Sequence, residues 1–377
     1  MKIVFIITNL ATGGAETMLL KLLQHLHRTR FQPTVISLIG LGEISPRIQA
    51  LGIPVHTLGM SRGLPGPLAF LRLVRLLRQL QPDVVHTWMY HADLMGGLAA
   101  RLTDCRKVIW GIHQSNLSRE LNKRSTLQVV KLCARLSAWV PAQIISCSTR
   151  AKEVHATVGY RADKLHVIPN GFELDRFTPD AAARASVRAE LGVAADTPLV
   201  GLIARYDSQK NHPGFVEAAA LVAAQLPHVH FVLTGKDVDA ANQVLQAAIV
   251  QHGLQERMHL LGRRDDVPRL MAALDVLASS SHGEAFPNVL GEAMACGVPC
   301  AVTDVGDSAD IVGSTGRVVP AGDMQGLARE LLALLLLPPA QRATLGQQAR
   351  QRVQDQYEIG HVARLYEAAY EQVARSA

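Results

Sequence analysis

The sequence predicts an α/β protein made of two domains of the Rossmann type, each with a parallel sheet. Short apolar runs alternate with helical stretches along the whole chain, which is typical of parallel sheets covered on both faces. The chain has 377 residues, and its apolar share of 48% is enough for two cores of ordinary domain size. A turn at Asn170-Gly171 is followed by a polar, alanine-rich stretch at 178–198 that contains Pro179 and Pro198, and here we place the hinge between the domains.

Composition limits the class of protein. Residues 1–170 hold 21 Lys and Arg against 8 Asp and Glu, a formal charge of +13, whereas residues 171–377 hold 17 against 24, a charge of −7. We therefore expect the first half to face an anionic partner. No apolar run has the length of a membrane span, and Met1–Thr8 precedes a glycine loop rather than a cleavage site. The five cysteines include no Cys-x2-Cys pair, so we expect reduced structural thiols in a cytoplasmic protein.

The first predicted unit is a strand at 2–8, a glycine loop and a helix that ends at about His27. Gly13 and Gly14 come at the start of the helix, where the missing side chains let a phosphate approach the backbone closely. An ordinary turn is the alternative interpretation. The spacing is not Gly-x-Gly-x-x-Gly, so a dinucleotide site is not indicated.

Further strands are predicted in the first half, with helical stretches between them. They lie at 33–39, 53–57, 83–87, 107–112, 143–147 and 165–168. The stretch Leu64–Leu80 predicts a helix with basic residues three apart on one side of an apolar face. The basic residues are Arg72, Arg75 and Arg78, and the apolar face is Leu71, Val74 and Leu77. Two interpretations stay open, a solvated surface helix and a helix that docks on an anionic membrane. Nucleic acid is not indicated, because no basic run is interleaved with aromatic residues.

Three histidines lie at predicted strand ends in the first half. His113 follows the strand 107–112 and is the strongest candidate for a ligand contact, although a structural histidine is the alternative. His86 lies at the end of the predicted strand 83–87, and His91 lies shortly after it. Both are weaker candidates that would line the acceptor side.

The second half opens with a strand at 199–204, followed by a loop that contains Arg205 and Lys210. Two cations at the carboxyl end of a parallel strand, just before a helix start, suit a diphosphate. Surface charges without a ligand are the alternative. Asp237-x-Asp239 has the spacing of a divalent-ion site, but Arg205 and Lys210 offer the same charge, and we reject the metal.

The stretch 281–300 is the most informative part of the chain. Glu284 lies on a loop after the predicted strand 275–279, and Glu292 lies eight residues later on a helix in which Pro287 suits the first turn. The amides of Phe286, Asn288 and Val289 lie at the positive end of that helix and would attract an anion. The alternative is an acid that favours the helix dipole and a solvated Glu292. Further strands are predicted at 229–234, 258–261, 300–303 and 316–320, and a helix-rich tail at 323–377 carries a predicted apolar stripe of Tyr357, Leu365, Tyr366 and Tyr370.

The segment Gly283–Pro299 resembles the Glu-x7-Glu signature of the retaining glycosyltransferase family 4. Gly13-Gly14-Ala15-Glu16, Ile168-Pro169-Asn170-Gly171 and Arg205-x4-Lys210 also resemble segments of that family. The resemblance covers nearly the whole chain and is strongest over 199–320.

The resemblance implies the GT-B fold, with two Rossmann-like domains that face each other across a cleft. The first would comprise residues 1–170 and about 357–377, because the last helix returns to it, and the second would comprise 171–356. The donor would be a nucleotide diphosphate sugar, with a UDP-sugar favoured and a GDP-sugar as the alternative. Neither a metal nor a cofactor would be required.

The same resemblance assigns a role to each candidate residue. Catalytic roles fall to Glu284, near the sugar, and to His113, which would bond a sugar hydroxyl. Donor-binding roles fall to Gly13, Gly14, Arg205 and Lys210 at the diphosphate, to Phe286, Asn288 and Val289 through helix amides, to Glu292 at the ribose, and to Arg263 in the loop at the base.

The acceptor is expected to be a glycan or a polyprenyl-linked glycan at the inner face of the cytoplasmic membrane, in cell-surface polysaccharide synthesis. Two other functions remain as alternatives. One is a catalytically idle scaffold of the same fold that binds a nucleotide sugar or a partner, and the other is a nucleotide-sugar epimerase.

Overall fold

The computed structural model describes residues 1–60, 66–119 and 122–375. The chain forms two compact units. The first comprises Met1–Gly171 with the segment that begins at Ile359, and the second comprises Phe172–Glu358.

Each unit contains one parallel sheet, and the strands lie where the alternation predicts them, to within two residues at each end. Within the described residues, the first sheet has seven strands in the order β3-β2-β1-β4-β5-β6-β7, and the second has six in the order β10-β9-β8-β11-β12-β13. The strands are β1 (Lys2–Ile7), β2 (Gln32–Ser37), β3 (Val55–Thr57), β4 (Val84–Trp88), β5 (Val108–Ile112), β6 (Gln143–Ser146), β7 (Leu165–Val167), β8 (Leu199–Ile203), β9 (His230–Thr234), β10 (Met258–Leu260), β11 (Val276–Ser279), β12 (Cys300–Thr303) and β13 (Arg317–Val319).

Helices connect the strands. They are α1 (Gly14–His25), α2 (Ser45–Ala50), α3 (Pro67–Leu80), α4 (Tyr90–Arg101), α5 (Arg124–Leu136), α6 (Thr149–Val158), α7 (Ala181–Glu190), α8 (His212–Gln225), α9 (Gln243–Gln251), α10 (Val267–Ala273), α11 (Asn288–Ala295), α12 (Ser308–Val312), α13 (Met324–Leu335), α14 (Pro339–Tyr357) and α15 (Ile359–Arg375). Among the described residues, no helix has both the length and the apolar character needed to cross a membrane.

The central strand β1 shows why the first sheet is covered on both faces. Successive side chains of a strand point to opposite faces, so a continuous apolar run needs a core on each side. Phe5 packs with residues of α1 and α15, whereas Val4 and Ile6 pack with residues of α3, α4 and α5. The second sheet has a core of its own in which Val200 and Leu202 of β8 pack with residues of α8 and α13.

Helix α15 packs against α1 and β4, so the end of the chain returns to the first unit, as predicted. Tyr366 and Tyr370 are fully buried there. The other two residues of the predicted apolar stripe behave differently. Leu365 is 37% exposed, and Tyr357 ends α14 in the second unit, where its ring packs against Phe172.

Two local predictions were wrong in detail. The stretch 178–198, which we assign to the hinge together with the turn at 170–171, lies within the second unit, and its alanines form α7. That helix is held to the second sheet by Asp275, which accepts hydrogen bonds from Arg184 (2.8 Å), Arg188 (2.6 Å) and the Leu199 amide (2.8 Å). Pro287 precedes α11 as its N-cap residue rather than lying in the first turn.

Helix α3 begins at Pro67, and the predicted start at Leu64 lies outside the described residues. Its buried face consists of Leu73, Val74 and Leu77. Leu71, which we assigned to that face, is 61% exposed. Its place in the core is taken by Leu73, because the helix is rotated so that positions 73, 74 and 77 meet the sheet.

The burial of His155 in the first unit predicts a pH-dependent stability. Its Nδ1–H donates to the Ala151 carbonyl (2.7 Å) and its Nε2 accepts from the Tyr90 hydroxyl (2.8 Å). Burial lowers the pKa of His155 to about 4. Between about pH 6.5 and 4 the unfolded chain binds a proton that the folded chain does not, so the free energy of unfolding falls as the pH falls. The loss is at most about 3 kcal/mol.

Replacing His155 with Gln removes the imidazole that binds this proton in the unfolded chain. The free energy of unfolding of the variant should therefore fall less than that of the wild type between pH 7 and pH 4, as measured by denaturant unfolding of the full chain. The control is His228→Gln, because His228 is exposed. A difference in stability between the wild type and His155→Gln that stays the same at every pH would contradict this prediction.

Candidate functional site

The strand order of the second sheet reverses between β8 and β11. The crossovers on the two sides of such a reversal leave in opposite directions, and a crevice opens at the carboxyl ends of the two strands. The loop after β8 carries Arg205 and Lys210, and the loop after β11 carries Glu284. Three of the residues that the sequence singled out therefore lie at one edge of one sheet.

Lys210 and Glu284 are in direct contact. The Lys210 ammonium forms an ion pair with Glu284 Oε1, and the Ser281 hydroxyl donates to the same oxygen over 2.8 Å. The side chains of Lys210 and Glu284 are 22% and 12% exposed. A half-enclosed pair of this kind has less water around it than a surface pair, so each charge acts more strongly on its neighbours.

The two loops are also joined through their backbones. The Ser280 hydroxyl lies 3.0 Å from the carbonyl oxygens of both Lys210 and Asn211, and the His282 amide donates to the Gln209 carbonyl (2.7 Å). On the other side, Thr303 at the end of β12 donates to the Ser281 carbonyl (2.7 Å). The position of Glu284 is thus fixed by three neighbouring strands.

Asn211 turns the chain from the Lys210 loop into α8. Its φ of 51° is in the left-handed region, and its side chain accepts a hydrogen bond from the Gly214 amide (3.1 Å) as the helix cap. The next residue, His212, is fully buried, and burial lowers its pKa to about 4. It is therefore neutral at pH 7. Its Nε2 lies 3.3 Å from the carbonyl oxygen of Ala204, which directly follows β8.

Arg205 lies on the same loop as Lys210 but in a different environment. Its side chain is 60% exposed, and its Nε is 3.3 Å from Asp207 Oδ2. An exposed pair at this distance contributes little to stability, so Arg205 can change partners at small cost.

Helix α11 places its residues in two groups. Asn288 and Val289 are half-buried in its first turn, and Glu292 is half-buried in its second turn. The Phe286 side chain instead belongs to the core, with its ring 6.1 Å from Phe172 and 5.8 Å from Tyr357. Phe286 can therefore serve a ligand only through its backbone, as the sequence analysis assumed for its amide.

The loops after β9 and β10 form a second part of the same edge. The Thr234 hydroxyl and the Gly235 amide both donate to the Gly262 carbonyl, at 2.6 and 2.9 Å. A Cβ at Gly235 would lie 2.0 Å from the Ala204 carbonyl oxygen, so only glycine fits there. Arg263, which follows Gly262, is exposed.

In the first unit, Gly13 is the N-cap residue of α1 and Gly14 its first residue. A Cβ at Gly13 would meet the Glu16 carboxylate at 2.4 Å, so that carboxylate lies against the backbone of the turn. Glu16 is three positions after the cap, where a glutamate satisfies amide groups of the first turn. The Thr12 hydroxyl bonds to Glu43, which joins the glycine turn to the loop before α2.

His113 follows β5 in the first unit. Its ring lies parallel to the indole of Trp88, with 4.2 Å between the ring centroids and 11° between the planes. Burial lowers the pKa of His113 to about 3, so the imidazole is neutral at pH 7. His86 and His91 differ from it. His86 is fully buried and bonded to the Tyr370 hydroxyl (2.9 Å), and His91 is half-buried on α4.

Sequence analysis missed several residues that shape these sites. Ser280 and Ser281 lie four and three residues before Glu284, and a pair of hydroxyls so near a candidate carboxylate is a signal that could have pointed to them. Trp88 stacks on His113, which is distant in the sequence, and Asn211 depends on its left-handed backbone conformation. No local sequence pattern reveals either feature.

Comparison with known proteins agrees with this arrangement. The family described as Glycosyltransferase Family 4 matches residues 12–176, and the family described as Glycosyl transferases group 1 matches residues 197–336. The chain belongs to glycosyltransferase family 4.

Individual relatives cover most of this glycosyltransferase. EpsF of Bacillus subtilis (strain 168), whose name states a glycosyltransferase without a substrate, is 27% identical over 312 residues, which are 80% of this chain and 79% of EpsF. The UDP-Gal:alpha-D-GlcNAc-diphosphoundecaprenol alpha-1,3-galactosyltransferase of Escherichia coli is 29% identical over 242 residues, which are 63% of this chain and 62% of that enzyme.

The structure of HepE from Anabaena in complex with UDP matches 99% of this chain and 100% of HepE, with a TM-score of 0.85 and 25% sequence identity. The predicted GT-B fold is thereby confirmed, and so is the family. The protein is a glycosyltransferase that uses a nucleotide sugar.

Gly306 offers a test of how tightly the Glu284 loop is held. Its φ is 56°, and a Cβ there would lie 2.6 Å from the carbonyl oxygens of Glu284 and Ala285. Gly306→Ala should therefore displace that loop and lower sugar transfer by about tenfold or more. Amide hydrogen exchange over residues 281–287 should become faster.

The matched control is Gly253→Ala. Gly253 has a similar φ of 65°, but a Cβ there would have no atom within 4 Å. Both variants carry the cost of about 1 kcal/mol for a left-handed alanine, and only Gly306→Ala adds the clash. Equal losses of activity in the two variants would contradict the assigned role of Gly306.

Proposed function

We propose that this glycosyltransferase transfers a sugar from a UDP-sugar to a glycan or lipid-linked glycan, with retention of configuration at the anomeric carbon. The observation that carries the proposal is the contact between Lys210 and Glu284 at the point where the strand order reverses. UDP is favoured over GDP because HepE, at 25% identity, is in complex with UDP and the E. coli relative is named for UDP-Gal.

Lys210 is the group placed to take the charge of the diphosphate. Its partner in the structure is the Glu284 carboxylate. A diphosphate brings more negative charge than one carboxylate, so it can draw the ammonium toward itself while Ser281 still holds Glu284. Arg205, which is exposed and weakly paired, supplies a second cation from the same loop. The amides of Asn288 and Val289, at the start of α11, add partial positive charge.

The remaining roles in the proposal are those that the family resemblance implies. Glu292, half-buried in the second turn of α11, accepts hydrogen bonds from the ribose hydroxyls, and the turn at Gly262 and Arg263 contacts the base. For the first unit, we assign the turn at Gly13 and Gly14 to the diphosphate and neutral His113 to a hydroxyl of the donor sugar.

The proposed reaction needs no redox partner. The bond between the sugar C1 and the phosphate oxygen breaks, and a bond from the acceptor hydroxyl oxygen to C1 forms on the same face. The departing phosphate oxygen takes the acceptor proton. Glu284 lies near the sugar as an anion and stabilises the positive charge that develops at C1, while Lys210 and Arg205 stabilise the leaving diphosphate. A covalent intermediate on Glu284 is the alternative route to retention.

The donor site is tested by binding of UDP and of UDP-sugars in calorimetry and thermal unfolding, with EDTA present. We expect stabilisation by UDP or one UDP-sugar that exceeds that by GDP or ADP. Lys210→Ala and Glu292→Ala should each weaken binding at least tenfold, since each removes charge-assisted hydrogen bonds to the ligand.

Arg329→Ala is the control for the loss of one positive charge, because Arg329 is 69% exposed on α13, a helix that carries no proposed site residue. Binding that survives in Lys210→Ala and Glu292→Ala would overturn the proposed site. Stabilisation by a nucleotide diphosphate other than UDP would overturn the choice of base. Binding only after a divalent ion is restored would overturn the metal-independent mechanism.

For the acceptor, we propose a lipid-linked glycan, reached while the first unit lies on an anionic membrane surface. The E. coli relative is named for a diphosphoundecaprenol acceptor. In this chain, helices α3, α4 and α5 together contain seven Lys and Arg, and their one acid, Asp93, is fully buried. The outer face of these helices is therefore positive without compensating carboxylates.

Apolar side chains stand among these charges. Leu68 and Leu71 are 70% and 61% exposed on α3, next to Arg72, Arg75 and Arg78. The pairing of exposed leucines with arginines suits the boundary between headgroups and acyl chains of a membrane. An ordinary solvated helix gains nothing from exposed leucines.

The triple change of Arg72, Arg75 and Arg78 to Gln should reduce binding to vesicles that contain phosphatidylglycerol, by about 1 kcal/mol for each charge. It should raise the KM for a lipid-linked acceptor and leave transfer to a soluble acceptor unchanged. The control changes Lys2, Arg28 and Arg47 to Gln, which removes the same charge from exposed positions outside α3. Equal loss of vesicle binding in the two triple variants, or no loss in either, would contradict the assignment of α3.

A further inference from the structure

His113 lacks the hydrogen bond that usually orients a working histidine. A functional imidazole is generally held by a bond from its second ring nitrogen, which fixes both ring plane and tautomer. His86 and His155 have such bonds, to Tyr370 and to Ala151 and Tyr90. The Nδ1 atom of His113 is buried and has no hydrogen-bond partner among the described residues. Another contact must set the plane of this ring.

Trp88 provides that contact. Its indole lies against the His113 ring at 4.2 Å and 11°, which is close, nearly parallel stacking. The indole is itself fully buried, and behind it Tyr366 of α15 lies at 6.3 Å and 19°. The three rings thus form a series that runs from the C-terminal helix to the end of β5.

The backbone fixes both ends of the stack. Trp88 is the last residue of β4 and pairs with Gly111 of β5. The Met89 amide donates to the Gly111 carbonyl (3.0 Å), and Met89 has a φ of 77°, a strained value for a residue with a side chain. Strain of this kind persists only where the surroundings impose it, and it fixes where the chain turns after Trp88.

Gly111 is held from the other side as well. Its amide donates to Asp93 Oδ1 over 3.3 Å, and the Thr87 hydroxyl donates to the same oxygen over 2.6 Å. A Cβ at Gly111 would lie 2.8 Å from the Thr87 carbonyl and 3.3 Å from His113 Nε2, so β4 and β5 approach closely because residue 111 is glycine. The distance between Trp88 and His113 follows from this close approach.

We propose that Trp88, backed by Tyr366, is a positioning residue that sets the ring plane of His113 for its hydrogen bond to the donor sugar. The inference rests on the proposed function, in which His113 touches the donor and Trp88 does not. A neutral imidazole has one N–H donor in the ring plane, so a ring that rotates loses the bond to the sugar. Burial under the indole also keeps the imidazole neutral.

The test is a double-mutant cycle on the full chain with Trp88→Leu, Trp88→Phe, His113→Ala and the combination of Trp88→Leu with His113→Ala. Each variant is assayed for kcat and KM with the UDP-sugar that the donor test identifies. We expect His113→Ala to lower kcat, Trp88→Leu to lower it about tenfold, and Trp88→Phe to keep most of it, because phenylalanine can still stack. In the His113→Ala background, Trp88→Leu should lower kcat by no more than about twofold, since its effect passes through His113.

The pH profile separates positioning from general packing. In Trp88→Leu the His113 ring is less enclosed, so its pKa should rise toward the ordinary value and kcat should fall below about pH 6.5, where the wild type stays constant. That fall should be absent when His113 is Ala. Imidazole nitrogen shifts in NMR report the same titration without any assay.

The outcomes are distinct. If Trp88→Leu reduces kcat by the same factor with and without His113, Trp88 acts only on the fold and the inference is wrong. If His113→Ala alone keeps full turnover, the role of His113 in the proposed function is wrong, whatever Trp88 does. Should Trp88→Leu fail to fold, Trp88→Phe and Tyr366→Leu take its place in the same cycle with the same criteria.

Discussion

The reversal of strand order between β8 and β11 is the constraint on which the candidate donor site depends. Right-handed crossovers lead away from the sheet on opposite sides of this point, so the loops after the two strands have open space between them. The chain then closes part of this space with specific bonds. Ser280 and His282 bond across to Asn211 and Gln209, and Ser281 bonds to Glu284 within its own loop. A carboxylate and an ammonium are thereby held at an edge that the sheet alone would leave open.

Two ion-pair clusters at opposite ends of β11 show how structural and functional charges differ. At the amino end, Asp275 accepts from two arginines and a backbone amide, and it is 8% exposed. Its partners lie on α7 and at the start of β8, so the cluster joins elements of the fold and stabilises it. At the carboxyl end, Glu284 faces Lys210 on a loop, where a diphosphate can compete for the ammonium. The chemistry of the groups is the same, and the difference lies in whether a ligand can reach them.

In the first unit, the buried histidines differ in the contacts that hold their rings. His86 and His155 lie inside the core with hydrogen bonds to tyrosines, and burial lowers the pKa of both. His113 lies at a strand end with an indole in place of such a bond. An imidazole held through its face can offer its Nε2 to a ligand, although its Nδ1 is buried.

The sequence by itself determined the alternation of strands and helices, because a continuous apolar run such as Ile3–Ile7 is stable only between two layers of helices. It also determined the chemical types at the candidate site, since cations, glycines and acids stand out at strand ends. Tertiary structure alone decided which of them meet. Lys210 and Glu284 are 74 positions apart and touch because β8 and β11 are neighbours in the sheet. It also decided the exposure of Leu71 and the stacking of Trp88 on His113, because helix rotation and strand register follow from packing over the whole unit.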